Sequence, residues 1–433
     1  MKPSMNITST TEHARLLDRH YRQNVAGIAS VEFLWGLGLP VVIESTFLQL
    51  FLKSLGASST AVGLIPTLFF IGCSVFALFS SYITEDLRFK RGPVILLHLI
   101  SGLSLLLLGG FLLVVEEERW MLTFFFSCYG LFTICMGMTL PVWLNYLVQI
   151  FSEERSVAGL AYMMIASNVA KLISSLFLVQ LVERFAFSRT ASALTFIGVG
   201  VLFATGSLLF ILTREVPRIV AVPSKKKDHF PTYLVKTLRK ILSDRNFLFF
   251  LGGDTEYFIL VTVISFYANY ATIHCGVSPA MAAGGFVMSL YLGAIVSNVL
   301  CGTMGMLSLK NKFIASKLLA LTAVSILIFS RSTAVFLMVS ALFGTSRGIR
   351  NVAYAPAVKK ISGLSDSTGY FAVAPILTLP FAVTLPLLAG WFLDAFPHLE
   401  ANAYRLVFAA AGLLLLGSLS SVTLADFRSS PEP

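Results

Sequence analysis

The chain has 433 residues, 56% of them hydrophobic and 12% charged, with a formal net charge of +10. A soluble domain holds about 25% charged residues, and a soluble all-helical protein needs amphipathic helices with polar faces; this composition and patterning exclude both. The basic excess sits in particular loops, which excludes a nucleic-acid-binding face.

The N-terminal tail, residues 1–23, is polar and lacks the apolar core of a signal peptide. Six apolar spans follow, at 24–52, 58–82, 92–115, 120–149, 157–183 and 190–213. Each is long enough to cross roughly 30 Å of hydrocarbon. The polar interval 214–245 comes next, and within it "TYLVKTLRKIL" spaces apolar residues helically with basic ones between. It reads as a short amphipathic helix lying on the membrane surface. Six more spans follow, at 246–272, 279–305, 312–330, 333–358, 367–395 and 402–425, then a tail at 426–433. The predicted fold is an all-α polytopic membrane protein of twelve transmembrane helices. It is organised as two pseudo-symmetric six-helix bundles, 24–213 and 246–425, joined by a basic linker.

Lys/Arg bias sets the orientation. With both termini cytoplasmic, inner segments hold 23 Lys/Arg and outer loops hold six. Three sit in the inner stretch 310–317, Lys317 included. The five cysteines form no CxxC pair and read as small core residues. The halves echo each other at a shift of about 221 residues, which sets "SYITEDLRFKRG" on "GTMGMLSLKNKF". Repeated halves are the usual build of secondary transporters.

Twelve spans, a long basic central loop and a basic loop after the second span of each half resemble the major facilitator superfamily. The resemblance covers essentially the whole chain. In that family the loop between helices 2 and 3 carries Gly-x-x-x-Asp followed by basic residues. Here Ser81 stands at the glycine and Glu85 at the aspartate, with Arg88, Lys90 and Arg91 as the basic end. The second copy keeps Gly302, Lys310 and Lys312 but has Met306 at the acidic place. These residues are the gating-loop motif that the resemblance implies. The stretches "LPVVIESTFLQLFLKSLGASSTAVGLIP" and "RGIRNVAYAPAVKKIS" are similar to a bacterial branch of permeases. The Gly-x-x-x-Gly-Pro pattern of the family's drug–proton antiporters is missing from span 5, which carries a lysine instead.

Charges inside apolar spans mark the candidate site, because an ionisable group at mid-bilayer costs roughly 2.5–3.5 kcal/mol or more. At about 1.5 Å rise per residue, Glu32 in span 1 and Asp254 and Glu256 in span 7 lie at matching depths. Arg347 and Arg350 lie at similar depth in span 10, and Lys171 is deeper in span 5. Glu44 lies near the outer end of span 1. The resemblance implies that helices 1, 4, 7 and 10 line the central cavity. One acid of span 7 is then expected to meet an arginine of span 10, with Lys171 answering Glu32. Ion pairs that only fix helix register are the alternative reading. Trp35, Trp143, Asn145, Gln149 and Asn168 complete the polar and aromatic set expected of a small-solute pocket. Pro375, Pro380 and Pro386 in span 11 read as kinks. His98 reads as a core residue.

These features predict a monomeric secondary transporter in a bacterial cytoplasmic membrane. It would move a small organic solute by alternating access, with proton coupling through Glu32, Asp254 or Glu256. The arginines would hold an anionic group on the solute or serve as counter-ions. A transporter-like fold acting as a non-transporting membrane partner or assembly factor is the alternative. No nucleophile–base pair, metal-ligand cluster or phosphate-binding loop appears, so neither an enzyme, a metal nor a cofactor is expected.

Overall fold

The computed structural model describes residues 10–43, 46–84, 87–115, 117–216, 230–329, 331–362 and 368–427. Among these residues the regular structure is helix, without strands. The helices are α1 Thr10–Arg19, α2 Tyr21–Val42, α3 Phe47–Ser54, α4 Ser59–Ile71, α5 Ala77–Thr84, α6 Arg91–Val114, α7 Glu118–Ile150, α8 Glu153–Phe185 and α9 Arg189–Leu209. The second half holds α10 Phe230–Ser243, α11 Arg245–Asp254, α12 Glu256–His274, α13 Phe286–Ser297, α14 Leu309–Phe329, α15 Thr333–Ser362, α16 Thr368–Ala395 and α17 Ala401–Leu424. A π-helical turn, Gly72–Phe76, joins α4 to α5, and two more flank α13.

Among the described residues eleven helical stretches are long and apolar enough to cross a membrane. The expected span at 333–358 is also a helix, α15, 30 residues long. It falls outside those eleven and carries Arg347, Arg350, Lys359 and Lys360. Large apolar side chains such as Leu96, Leu107, Phe177, Leu388 and Leu413 are exposed, whereas Asn24, Asp254, Glu256 and Lys317 are buried. That distribution inverts the soluble pattern and suits a surface that meets lipid. The protein is a multi-pass membrane protein.

The repeat seen in sequence returns as repeated contacts. In the first half the Asn24 carboxamide clasps the backbone of one residue: Oδ1 accepts from Arg214 N at 2.7 Å, and Nδ2 donates to Arg214 O at 3.1 Å. In the second half Asn246 does the same to Asp426, at 2.7 and 2.8 Å. Each asparagine ties the first helix of its half to the chain just past the last. A basic side chain from the third span then meets the same segment. Arg91 Nη1 donates to Thr213 O at 2.9 Å, and Lys310 Nζ donates to Thr423 O at 2.7 Å and Ala425 O at 3.0 Å. A cation on a helix's last carbonyls also complements the helix dipole. Finally, a Cβ on Gly137 of α7 would lie 1.9 Å from Gly72 O, and one on Gly344 of α15 would lie 1.8 Å from Leu290 O. These helices touch backbone to backbone, which only glycine permits.

By packing, the chain divides into two compact units. One comprises Met1–Leu39, Gly72–Ile173 and Ala193–Asp228; the other comprises Pro40–Ile71, Ser174–Ser192 and His229–Pro433. One boundary, at 228/229, falls in the 214–245 interval, where the six-plus-six reading of the sequence expects a division; the others fall within spans. The division also cuts the first, second and fifth spans and the start of the sixth, because residues 40–71 and 174–192 pack on the second half. Within that unit Thr46 Oγ1 donates to Ala283 O at 3.3 Å, and a Cβ on Gly284 would meet Ser175 O at 2.4 Å.

The basic linker helix α10 forms as expected, but its apolar side finds protein instead of the membrane surface. Ile241 is fully buried, and Leu234 and Leu238 pack against the cluster that includes Phe247, Ile361, Tyr370 and Val373. Apolar area nearby in the bundle satisfies the helix's apolar stripe. Val235 and Leu242 stay exposed on its other side.

Candidate functional site

The seventh span is interrupted at Thr255, so α11 ends on Asp254 and α12 begins on Glu256. The Thr255 hydroxyl donates to Gly252 O at 2.6 Å and covers a carbonyl at the break. Helix α11 is held tightly against α17. A Cβ on Gly253 would meet the Val422 side chain at 2.8 Å, and Ser418 Oγ donates to Gly253 O at 2.6 Å. The Gly252–Gly253 pair is thus a close helix contact. With α11 fixed, the two acids, two residues apart, face different neighbours.

Asp254 meets Arg350. Arg350 Nε donates to Asp254 Oδ1 at 2.8 Å and Nη2 to Oδ2 at 2.6 Å, a two-pronged pair. The Asp254 side chain is 4% exposed and that of Arg350 is 17%. Two tyrosine rings lie against the guanidinium, with centroids at 4.7 Å for Tyr257 and 4.2 Å for Tyr354. Such cation–π contacts add about 0.5–2 kcal/mol each. Tyr257 follows Asp254 by three residues and Tyr354 follows Arg350 by four, so each ring shares a helix face with its charge.

Glu256 turns to α14. Its Oε2 accepts from Lys317 Nζ at 2.8 Å and Ser316 Oγ at 2.9 Å, while Oε1 accepts from Ser346 Oγ at 2.5 Å. The Lys317 and Glu256 side chains are 0% and 1% exposed. Both carboxylate oxygens are satisfied, as a buried charge requires. The Lys/Arg bias places Lys317 with the inner stretch 310–317; the structure corrects this and buries it inside the bundle. Its position two turns past Lys310 on one helical stretch is the signal that finds it.

In the first half the Glu32 carboxylate takes a hydrogen bond from Ser167 and lies in the field of Lys171. Gly36, one turn along α2, permits the approach, since a Cβ there would lie 2.6 Å from Ser167 O. Glu32 follows Asn24 by eight residues, as Asp254 follows Asn246. Asn168 is half-buried beside this pair. The other sequence candidates do not gather there. Trp35 is a packing residue, stacked on Phe203 at 4.0 Å and edge-on to His98 at 4.7 Å. His98 is buried, with Nδ1 2.8 Å from Val94 O. Asn145 is exposed and donates to Pro141 O on its own helix at 3.0 Å, so it does not share a buried face with Gln149. Trp143 Nε1 and Gln149 Oε1 are buried atoms with no hydrogen-bond partner among the described residues. Arg347 is half-buried on α15.

In the loop motif Arg88 is exposed and Lys90 is buried, with Nζ on Thr84 O. Glu215 holds the start of α6, accepting from Lys90 N at 2.5 Å and Arg91 N at 3.1 Å. Burial pushes its carboxyl above the usual range, against the pull of those donors. Gly302 is not sterically required, since a Cβ there would make an ordinary 3.5 Å contact with Val352. Lys312 is half-buried. Glu44 and Glu85, and the Ser81 side chain, lie outside the described residues.

At the opposite, Lys/Arg-poor end, Asp394 of α16 caps the start of α4. It accepts from Ser59 N, Thr60 N and Thr60 Oγ1, each at 2.7 Å. Lys53 Nζ donates to Ser59 Oγ at 3.0 Å. A Cβ on Gly63 would lie 2.3 Å from Pro386 O, and one on Gly390 would lie 2.4 Å from Ser59 O. These two helices, from different halves of the sequence, are therefore in backbone contact. A groove of about 500 Å³ between α12, α16 and α17 is lined by Ile259, Leu385, Trp391 and Leu406 among others, with no charged residue among the described ones that line it.

A family model, Major Facilitator Superfamily, matches residues 36–355. The chain belongs to the major facilitator superfamily and has a transporter fold. Among solved structures it is similar to the nucleoside transporter NupG, at TM-score 0.68 and 10% identity, covering 92% of this chain and 98% of that one. It is also similar to a bacterial homolog of the human lysosomal transporter Spinster, inward-facing and unoccupied, at TM-score 0.63 and 15% identity over 98% and 100%. A POT family transporter in complex with a thioalcohol-conjugated peptide matches at TM-score 0.67 and 14% identity, over 90% and 94%. No curated protein matches.

Removing one member of a buried pair orphans the other and costs about 3–5 kcal/mol, whereas removing both leaves no orphan. Lys317→Met alone should therefore lower the unfolding midpoint of the purified protein sharply. Adding Glu256→Gln should recover much of that loss. Equal midpoints for wild type and Lys317→Met would show that the pair carries no such constraint.

Proposed function

We propose that the protein is a proton-coupled secondary active transporter of a small organic solute, working as a monomer in a bacterial cytoplasmic membrane. The two six-helix halves, 24–213 and 246–425, alternate access about a site near mid-membrane. The observation that carries this reading is the two-pronged Asp254–Arg350 pair, buried among apolar helices but with the arginine still partly exposed. A charge pair is a poor source of stability at such depth, and intramembrane ionisable residues mark solute paths or proton relays by default.

The two pairs of the seventh span divide the work. Asp254 has a partner that keeps 17% of its side chain exposed, which leaves the pair a route for a proton. Protonation removes the charge on Asp254, so that Arg350, still held beside it, attracts an anionic group on the solute more strongly; deprotonation restores the ion pair. Glu256 and Lys317 have no exposed edge and act as a fixed brace. Glu32 with Lys171 is the matching pair of the first half. The contacts of α4 with α16 hold the Lys/Arg-poor end shut and separate when that end opens.

In proteoliposomes, Asp254→Asn should abolish solute accumulation driven by a pH gradient while sparing solute exchange. Accumulation at the wild-type level by that variant would remove Asp254 from coupling. The Lys/Arg-rich end, with both termini, faces the cytoplasm on this reading. Reporter fusions at 117 and 225 should then report opposite sides of the membrane, and agreement between them would contradict it.

A further inference from the structure

A guanidinium presents five N–H groups, and a planar partner can approach it along more than one edge. Asp254 occupies the edge formed by Nε and Nη2 of Arg350. Among the described residues, the edge formed by Nη1 and the second N–H of Nη2 has one long contact, from Nη1 to Asn351 Oδ1 at 3.5 Å. Asn351 is exposed, and Arg350 keeps 17% of its side chain exposed. The Tyr257 and Tyr354 rings hold the guanidinium plane. The neighbouring cation, Lys317, offers no such edge, because it is fully buried on Glu256.

We propose that the second edge of Arg350 is the anchor for a carboxylate on the transported solute, bound end-on while Asp254 stays in place. This rests on the transporter reading and names the solute's class: a monoanionic carboxylic acid. A planar carboxylate fits the remaining fork with two parallel N–H bonds. A phosphate dianion would set two further negative charges beside Asp254. Asp254 is then a positioning residue, which fixes the rotamer and plane of Arg350, and the solute does not have to break the pair to bind.

The test uses the full-length chain in lipid nanodiscs and matched acid–amide pairs: acetate with acetamide, hexanoate with hexanamide, and benzoate with benzamide. Binding is read by titration calorimetry. At least one acid should bind about tenfold or more tightly than its amide. Arg350→Lys, which keeps the charge but loses the fork, should erase that preference. Asn351→Asp should also erase it, by placing a carboxylate at the same edge, while Asn351→Ala should keep it. Because Asn351 is exposed, both of its variants should fold. The inference is overturned if no acid binds, if amides match their acids, if the preference survives Arg350→Lys, or if Asn351→Asp binds acids like wild type. Gradient-driven uptake of a neutral solute, unaffected by Asn351→Asp, would remove this inference and leave the transporter reading standing. Absence of any gradient-driven uptake in the wild type would count against the transporter reading itself.

Discussion

A charge that leaves water for an apolar bundle must take its counter-charge with it. Left unpaired at full burial, such an ion costs several kcal/mol, a large part of an ordinary domain's net stability. Asp254, Glu256, Arg350 and Lys317 satisfy that constraint in two pairs, which tie α11, α12, α14 and α15 into one arrangement. The two acids, one on either side of Thr255 and two residues apart, face different helices. The glycine contacts are part of the same arrangement. Gly344 seats α15 against α13, and Gly253 seats α11 against α17, so each charge is delivered to its partner by helices in backbone contact.

The same scaffold is built twice. Asn24 and Asn246 clasp the chain beyond the last helix of their halves, and Arg91 and Lys310 cover carbonyls there. On that common frame the two halves place different chemistry. Glu32 lies in the field of Lys171 on the fifth span, while Asp254 pairs with Arg350 on the tenth. At the depth where Lys317 sits in the second half, the first half has His98, packed under Trp35. A repeated frame with unequal charges gives two helix bundles of one shape and different electrostatics, which suits the proposed cycle.

Much of this was legible in the chain. Span length and apolarity showed the membrane fold, and the intramembrane charges stood out because so few charges occur in apolar runs. The depth of Asp254 and of Arg350 along their helices pointed to their meeting. Other features were hidden for physical reasons. Lys317 looked like a loop residue because its helix begins with Lys310 and Lys312, and a count of basic residues does not see burial. Trp35, Asn145 and Gln149 share helices with charged or aromatic neighbours, but rotation about the helix axis decides which face each presents. Short-range spacing does not fix that rotation. Asp394 was silent in sequence, because capping the start of α4 depends on a contact between residues more than 330 apart.

The most direct measurement is a double-mutant cycle on the purified protein with Asp254→Leu and Arg350→Leu, read by unfolding free energy. The pair described here predicts that each single change is severely destabilising and that the double variant is more stable than either. The coupling should amount to several kcal/mol, about 3–5. Additive losses, with a coupling near zero, would contradict it and would mean that the two charges do not hold the seventh and tenth spans together.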